Sequence, residues 1–149
     1  MIDTQYRIAP KGFTLEQWET FLEDGIIFIE NAISEADIQL YTDAIDRVTV
    51  SDPNYVDGEY YYRENIVELD PTLAGLIDNP RHVGFAYDIY GELLKIHQTQ
   101  MFVRVPQETH NNKWHPDGAR ALPYGVFSPH IPLQIKIGYW LTDLPGTQM

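Results

Sequence analysis

Two side chains in this sequence are spaced to share a metal ion. His115 and Asp117 are separated by one residue in the stretch Asn111-Asn112-Lys113-Trp114-His115-Pro116-Asp117-Gly118. On an extended chain, residues two apart project to the same side. A neutral imidazole and a carboxylate held this way supply two of the three ligands of the 2-His-1-carboxylate arrangement, which leaves positions on Fe(II) open for a co-substrate and dioxygen. The third ligand, a second His, must come from elsewhere. His82 opens a predicted helix, His97 lies on a strand, and His110 and His130 fall in loops. Taken alone, the same residues also read as a Trp-His-Pro-Asp-Gly turn in which Asp117-Gly118 makes the bend.

The elements that must position this pair lie on either side of it. From Lys95 to Val105 the residues alternate as a strand, with Gln98, Gln100, Phe102 and Arg104 on one face and His97, Thr99, Met101, Val103 and Val105 on the other. Two amides and a guanidinium are costly in a dry core, so the first face belongs to a wet cavity or to solvent. Arg104 is a candidate for bidentate capture of a carboxylate, with a rim ion pair as the simpler reading. After the irregular stretch 118–132, where substrate selectivity would be set, Leu133 to Leu141 alternates again. It places Gln134, Lys136, Gly138 and Trp140 opposite Leu133, Ile135, Ile137, Tyr139 and Leu141. Phe102 and Trp140 read as core filling, with cavity lining as the other use of an aromatic ring there.

Upstream, Thr14 and Gln17 form a capping box ahead of Leu15, Trp18, Phe21 and Leu22, which share one helical face, and Gly25 ends that helix. Ile26-Ile27-Phe28-Ile29 reads as a short strand. Ser34 caps a second helix whose Ile38, Tyr41, Ile45 and Val48 recur at helical spacing. The stretch from Glu59 to Leu69 is rich in aromatic and β-branched residues and reads as a strand. Asp70-Pro71 and Asn79-Pro80 each pair a capping residue with a Pro suited to the first helical position, which predicts helices over 71–78 and 80–93. Helices first, then strands with long loops, predict a mostly β fold with N-terminal helices: a double-stranded β-helix, or cupin-like jelly roll.

Composition narrows the function classes. One domain fits 149 residues, and 44% apolar content with 10 Tyr predicts a folded, aromatic-rich interior. A net charge of −12 opposes binding to nucleic acid. Without cysteine there is no disulfide framework and no thiolate metal site, which suits a reducing cytoplasm. No apolar run approaches the roughly 20 residues that span a bilayer, and the opening residues carry no secretory pattern, so no membrane role is expected.

Taken in order, these pieces resemble a known family. They are the opening helix entering Gly25-Ile26-Ile27, the helix after Ser34, His97-Gln98, Trp114-His115-Pro116-Asp117, and the apolar run ending Tyr139-Trp140-Leu141-Thr142-Asp143. Over about 14–144 the chain is similar to the phytanoyl-CoA dioxygenase superfamily of Fe(II)/2-oxoglutarate-dependent oxygenases. The resemblance implies that His115 and Asp117 bind Fe(II) and that the Gln98 amide hydrogen-bonds a 2-oxoglutarate carboxylate. Gln100 and Arg104, which alternation puts on the same strand face, join it as candidates for co-substrate binding. It also implies a hydroxylation, in which dioxygen and 2-oxoglutarate are consumed as a C–H bond of a small organic substrate is oxidised. A carboxylate at Asp117 favours hydroxylation over the halogenation of relatives that lack one there.

The family's distal His, and the cation beyond it, follow a Gly-rich turn that has no counterpart before Met149. Leu144-Pro145-Gly146-Thr147 ends in Gln148 rather than His. The chain is therefore expected to be the N-terminal portion of such an oxygenase, with an incomplete barrel. Its open sheet edges would then recruit a second copy or a separate C-terminal fragment, and turnover by this chain alone is not expected. Two other readings remain open at this point: a non-catalytic binding or regulatory module on the same fold, and a metal-independent structural domain.

Overall fold

The structure is a computed structural model and describes residues 10–104 and 134–143. Local capping chemistry sets its first two helices. In α1 (Leu15–Asp24) the Thr14 hydroxyl accepts from the Gln17 amide at 3.2 Å, and the Gln17 side chain accepts from the Thr14 amide at 2.9 Å. Gly25 ends the helix in the left-handed region, at φ 73°, where an L side chain would be strained. The same box recurs at α2 (Glu35–Ser51), built from Ser34 and Asp37.

The core forms where α2 meets the rest of the chain. Tyr41, Ala44 and Val48 of α2 are buried against Tyr61, Ile66, Leu73 and Met101. Tyr61 belongs to β1 (Tyr61–Glu64) and Met101 to β2 (Gln100–Val103), which pair antiparallel with Tyr61 opposite Val103 and Glu64 opposite Gln100. Between them, Ile66 lies on the short helix α3 (Ile66–Leu69) and Leu73 on the 3-10 turn Pro71–Leu76. The Asp70 side chain caps that turn through the Thr72 amide at 2.8 Å and accepts from Arg47 Nε at 2.9 Å, which ties the turn to α2. Arg47 and Thr72 together hold the Asp70 carboxyl well below its usual range, at about 2.

Helix α4 (Val83–Tyr90) carries the N-terminal arm. The Phe13 amide donates to Asp88 Oδ2 at 2.7 Å, and the Phe13 ring lies 4.6 Å from that of Phe85. Trp18 and Phe21 of α1 also pack on Phe13, with ring centroids 5.2 and 5.3 Å from it. A Cβ at Gly84 would sit 2.0 Å from the Lys11 carbonyl oxygen, so the arm can lie this close only because residue 84 is glycine. Residues 134–143 run back across the molecule. Leu141 packs on the core, and the Tyr139 hydroxyl bonds His82 at the start of α4.

This architecture corrects the expected mostly β jelly roll. Helix takes 43% of the described chain and strand 8%, and the sheet has two strands. The strand expected over 59–69 stops at Glu64, because Asn65 turns left-handed (φ 55°) and Ile66 enters the core from a helical turn. The 95–105 strand is reduced to Gln100–Val103, and the 80–93 helix to Val83–Tyr90. Residues 26–29, and 134–141 of the expected last strand, form no ladder among the described residues. Alternation makes a segment suited to a sheet, but a strand exists only where a partner supplies the other half of its hydrogen bonds. Leu15 and Leu22, expected on the buried side of α1, are 74% and 65% exposed, and the aromatic contacts described for this helix run through Trp18 and Phe21 to Phe13.

Candidate functional site

The antiparallel register sorts the β1–β2 ribbon into two faces. Tyr61, Arg63, Met101 and Val103 share the inner face, where Tyr61 and Met101 are buried. Behind it, Asp52 accepts from the Tyr61 hydroxyl at 2.7 Å and lies 3.5 Å from the Arg63 guanidinium. Hydrogen bonds from Tyr61 and Asn54 lower the Asp52 pKa. Arg63 is thereby committed to a structural ion pair.

The outer face carries Tyr60, Tyr62 and Glu64 from one side of the ribbon and Gln100, Phe102 and Arg104 from the other. Gln98 joins them just before β2: its Nε2 donates to the Tyr62 hydroxyl at 3.3 Å. The phenol has a single proton and two acceptors in reach, Glu64 Oε1 at 2.5 Å and Gln100 Oε1 at 3.1 Å. A charged acceptor wins that proton over a neutral one, so the chain of bonds runs from Gln98 through Tyr62 to Glu64. Burial and then the Glu64 carboxylate push the Tyr62 pKa up to about 12, so Tyr62 keeps its proton throughout the neutral range. At the far end the Arg104 guanidinium lies over the rings of Tyr60 and Phe102, 5.7 and 5.5 Å from their centroids. A shallow hollow of about 470 Å³ opens beside the face, lined by Tyr62, Arg63, Glu64, Asn65, Glu68 and Leu69.

Gln98, Gln100 and Arg104 thus share one solvent-accessible face, as their alternation predicts. Phe102 is exposed on that same face instead of filling the core, and Trp140 is exposed as well. Sequence reasoning passed over Tyr62 and Glu64. Their i, i+2 spacing was a usable signal, since it puts a phenol and a carboxylate on the same side of any strand.

His115 and Asp117 lie outside the described residues, as do His110 and His130. Among the described residues no three His, Asp or Glu side chains gather in a metal-binding group. His82 is spent on structure. Its Nε2 faces the Ile77 carbonyl at 3.2 Å and so carries the ring proton, which leaves Nδ1 to accept from Tyr139. The donor set of the outer face suits a carboxylate ligand, and the structure already seats one there, since Glu64 occupies the Tyr62 hydroxyl.

No described helix is long and apolar enough to cross a membrane. No family model matches the chain, and no curated protein or solved structure matches it either.

Proposed function

We propose that this chain carries the site of an Fe(II)/2-oxoglutarate-dependent oxygenase that hydroxylates a small organic substrate. Its outer ribbon face is the carboxylate-binding part of the site. The observation that carries this reading is the gathering of Gln98, Gln100 and Arg104 on one open face together with the Tyr62 hydroxyl, a donor that already bonds a carboxylate. In this reading His115 and Asp117 hold the metal. Gln98 and Gln100 orient the co-substrate through their amides, and Arg104 attracts a carboxylate from the far end of the same face. Fe(II), once bound, would supply the activation of dioxygen that none of these side chains can perform. The chain's own residues bind, orient and neutralise charge.

A helical scaffold with a two-stranded ribbon is compatible with this role, because function resides in the site and not in the fold class. The outer edges of the ribbon have no strand partner among the described residues. A second copy of the chain, pairing along such an edge, is the partner this reading favours.

The test needs no knowledge of the substrate. Full-length protein supplied with Fe(II), dioxygen and 2-oxoglutarate should release succinate once the partner is present, and His115→Ala and Asp117→Ala should each abolish the release. Turnover indifferent to both substitutions removes the oxygenase reading and leaves the ribbon face as a carboxylate-binding module.

A further inference from the structure

Glu64 is placed where the ligand of this face would have to bind. The register sets it directly opposite Gln100, and its Oε1 takes the Tyr62 proton. Its negative charge has no close compensation from its neighbour in sequence, because Arg63 faces the other side of the ribbon and pairs with Asp52. Glu68, on the rim of the adjoining hollow, adds a second negative charge. We propose that Glu64 is a built-in competitor: its carboxylate occupies the Tyr62 hydroxyl, and a dicarboxylate ligand binds this face by displacing it. The ligand class rests on the oxygenase reading, whereas the competition rests on the geometry of Glu64, Tyr62, Gln98 and Gln100.

The displacement is an exchange of like for like. One carboxylate–phenol hydrogen bond breaks, and another forms to the incoming ligand. Gln98 donates to the Tyr62 oxygen before and after, so the phenol stays oriented. The Glu64 side chain is exposed and can swing into solvent without opening the core. The device selects by number of anchors. A monocarboxylate offers only what Glu64 already provides, while a dicarboxylate gains a second anchor that an internal side chain lacks.

The experiment is a calorimetric titration of the full chain with 2-oxoglutarate and, separately, with succinate, each with and without Fe(II) under anaerobic conditions. Glu64→Ala, and Glu64→Gln as the isosteric variant, should tighten binding of both ligands about fivefold, the size of an exposed like-charge contact removed. In the Glu64→Ala background, where no internal carboxylate competes, Tyr62→Phe should weaken both about fivefold or more, as expected for loss of one hydrogen bond to a charged group, whereas in the parent the exchange of one such bond for another leaves Tyr62→Phe nearly neutral. Affinities unchanged or weakened by Glu64→Ala overturn the competitor, whatever the metal does. If Glu64→Ala tightens both ligands equally and Fe(II) makes no difference to either, the competitor stands and the oxygenase reading fails. If no variant binds either dicarboxylate, both fail.

Discussion

Gly84→Ala turns one close contact of the fold into a measurement. On helix propensity alone the change should stabilise α4 by about 1 kcal/mol. The new Cβ would, however, fall 2.0 Å from the Lys11 carbonyl oxygen and 2.7 Å from the Gly12 nitrogen, both backbone atoms that cannot rotate away. Either α4 and the arm are strained apart, at about 1–3 kcal/mol for an overpacked contact, or the arm lifts off. Lifting off forfeits the Phe13 amide bond to Asp88 and the Phe13–Phe85 ring contact, about 1 kcal/mol each. After the propensity gain is subtracted, strain leaves a net loss of up to about 2 kcal/mol and lifting off a net loss of about 1 kcal/mol, so Tm should fall by up to about 8 °C. Thermal unfolding by circular dichroism measures the loss. Hydrogen exchange at the Phe13 amide separates the routes, since that proton is protected only while the arm is docked. A Gly84→Ala protein as stable as the parent, with the Phe13 amide equally protected, would refute the packing of the arm on α4.

Other perturbations follow from the same structure. Leu73 is fully buried where α2, α3 and the 3-10 turn meet, and Leu73→Ala should cost about 2–5 kcal/mol in urea unfolding. Burial lowers the His82 pKa from 6.5, so the folded state disfavours the imidazolium. The stability this confers is full above 6.5 and declines as pH falls below it, and His82→Phe should flatten that part of the pH–stability curve. Asp70, held at about 2 against 3.8, contributes above 3.8 and loses its contribution as pH falls toward 2; Asp70→Asn should remove that acid limb. The open ribbon edges should give a concentration-dependent mass by light scattering, and a strict monomer at all concentrations would argue against edge pairing.

The features legible in the sequence are the local ones. Thr14 with Gln17, the Ser34 cap, Gly25, and Asp70-Pro71 each act within a few residues, and each starts or stops its element in the structure, although the helix expected over 71–78 is a 3-10 turn that ends at Leu76. The split of Gln98, Gln100, Phe102 and Arg104 from Met101 and Val103 was equally readable, because alternation needs no knowledge of the partner strand. The fold class was not legible. Whether Ile26–Ile29 or Ile135–Leu141 becomes a strand depends on distant partners, and that pairing leaves no mark on the segment itself. The same holds for the His82–Tyr139 contact across 57 positions and for Gly84, whose need for a missing side chain comes from Lys11. In the candidate site the amides and the guanidinium were found by periodicity. Tyr62 and Glu64 were hidden in a run of tyrosines that reads as ordinary strand.

The central claim is that His115 and Asp117 share a metal and that the ribbon face serves it. An anaerobic Fe(II) titration of the full chain, at a concentration where light scattering shows it paired, followed by calorimetry and repeated with His115→Ala and Asp117→Ala, tests it most directly. The chain should take up a single Fe(II), with affinity weakened more than about tenfold by either substitution, and should bind 2-oxoglutarate more tightly when the metal is present. Iron uptake identical in all three proteins, or none in the parent, would contradict it.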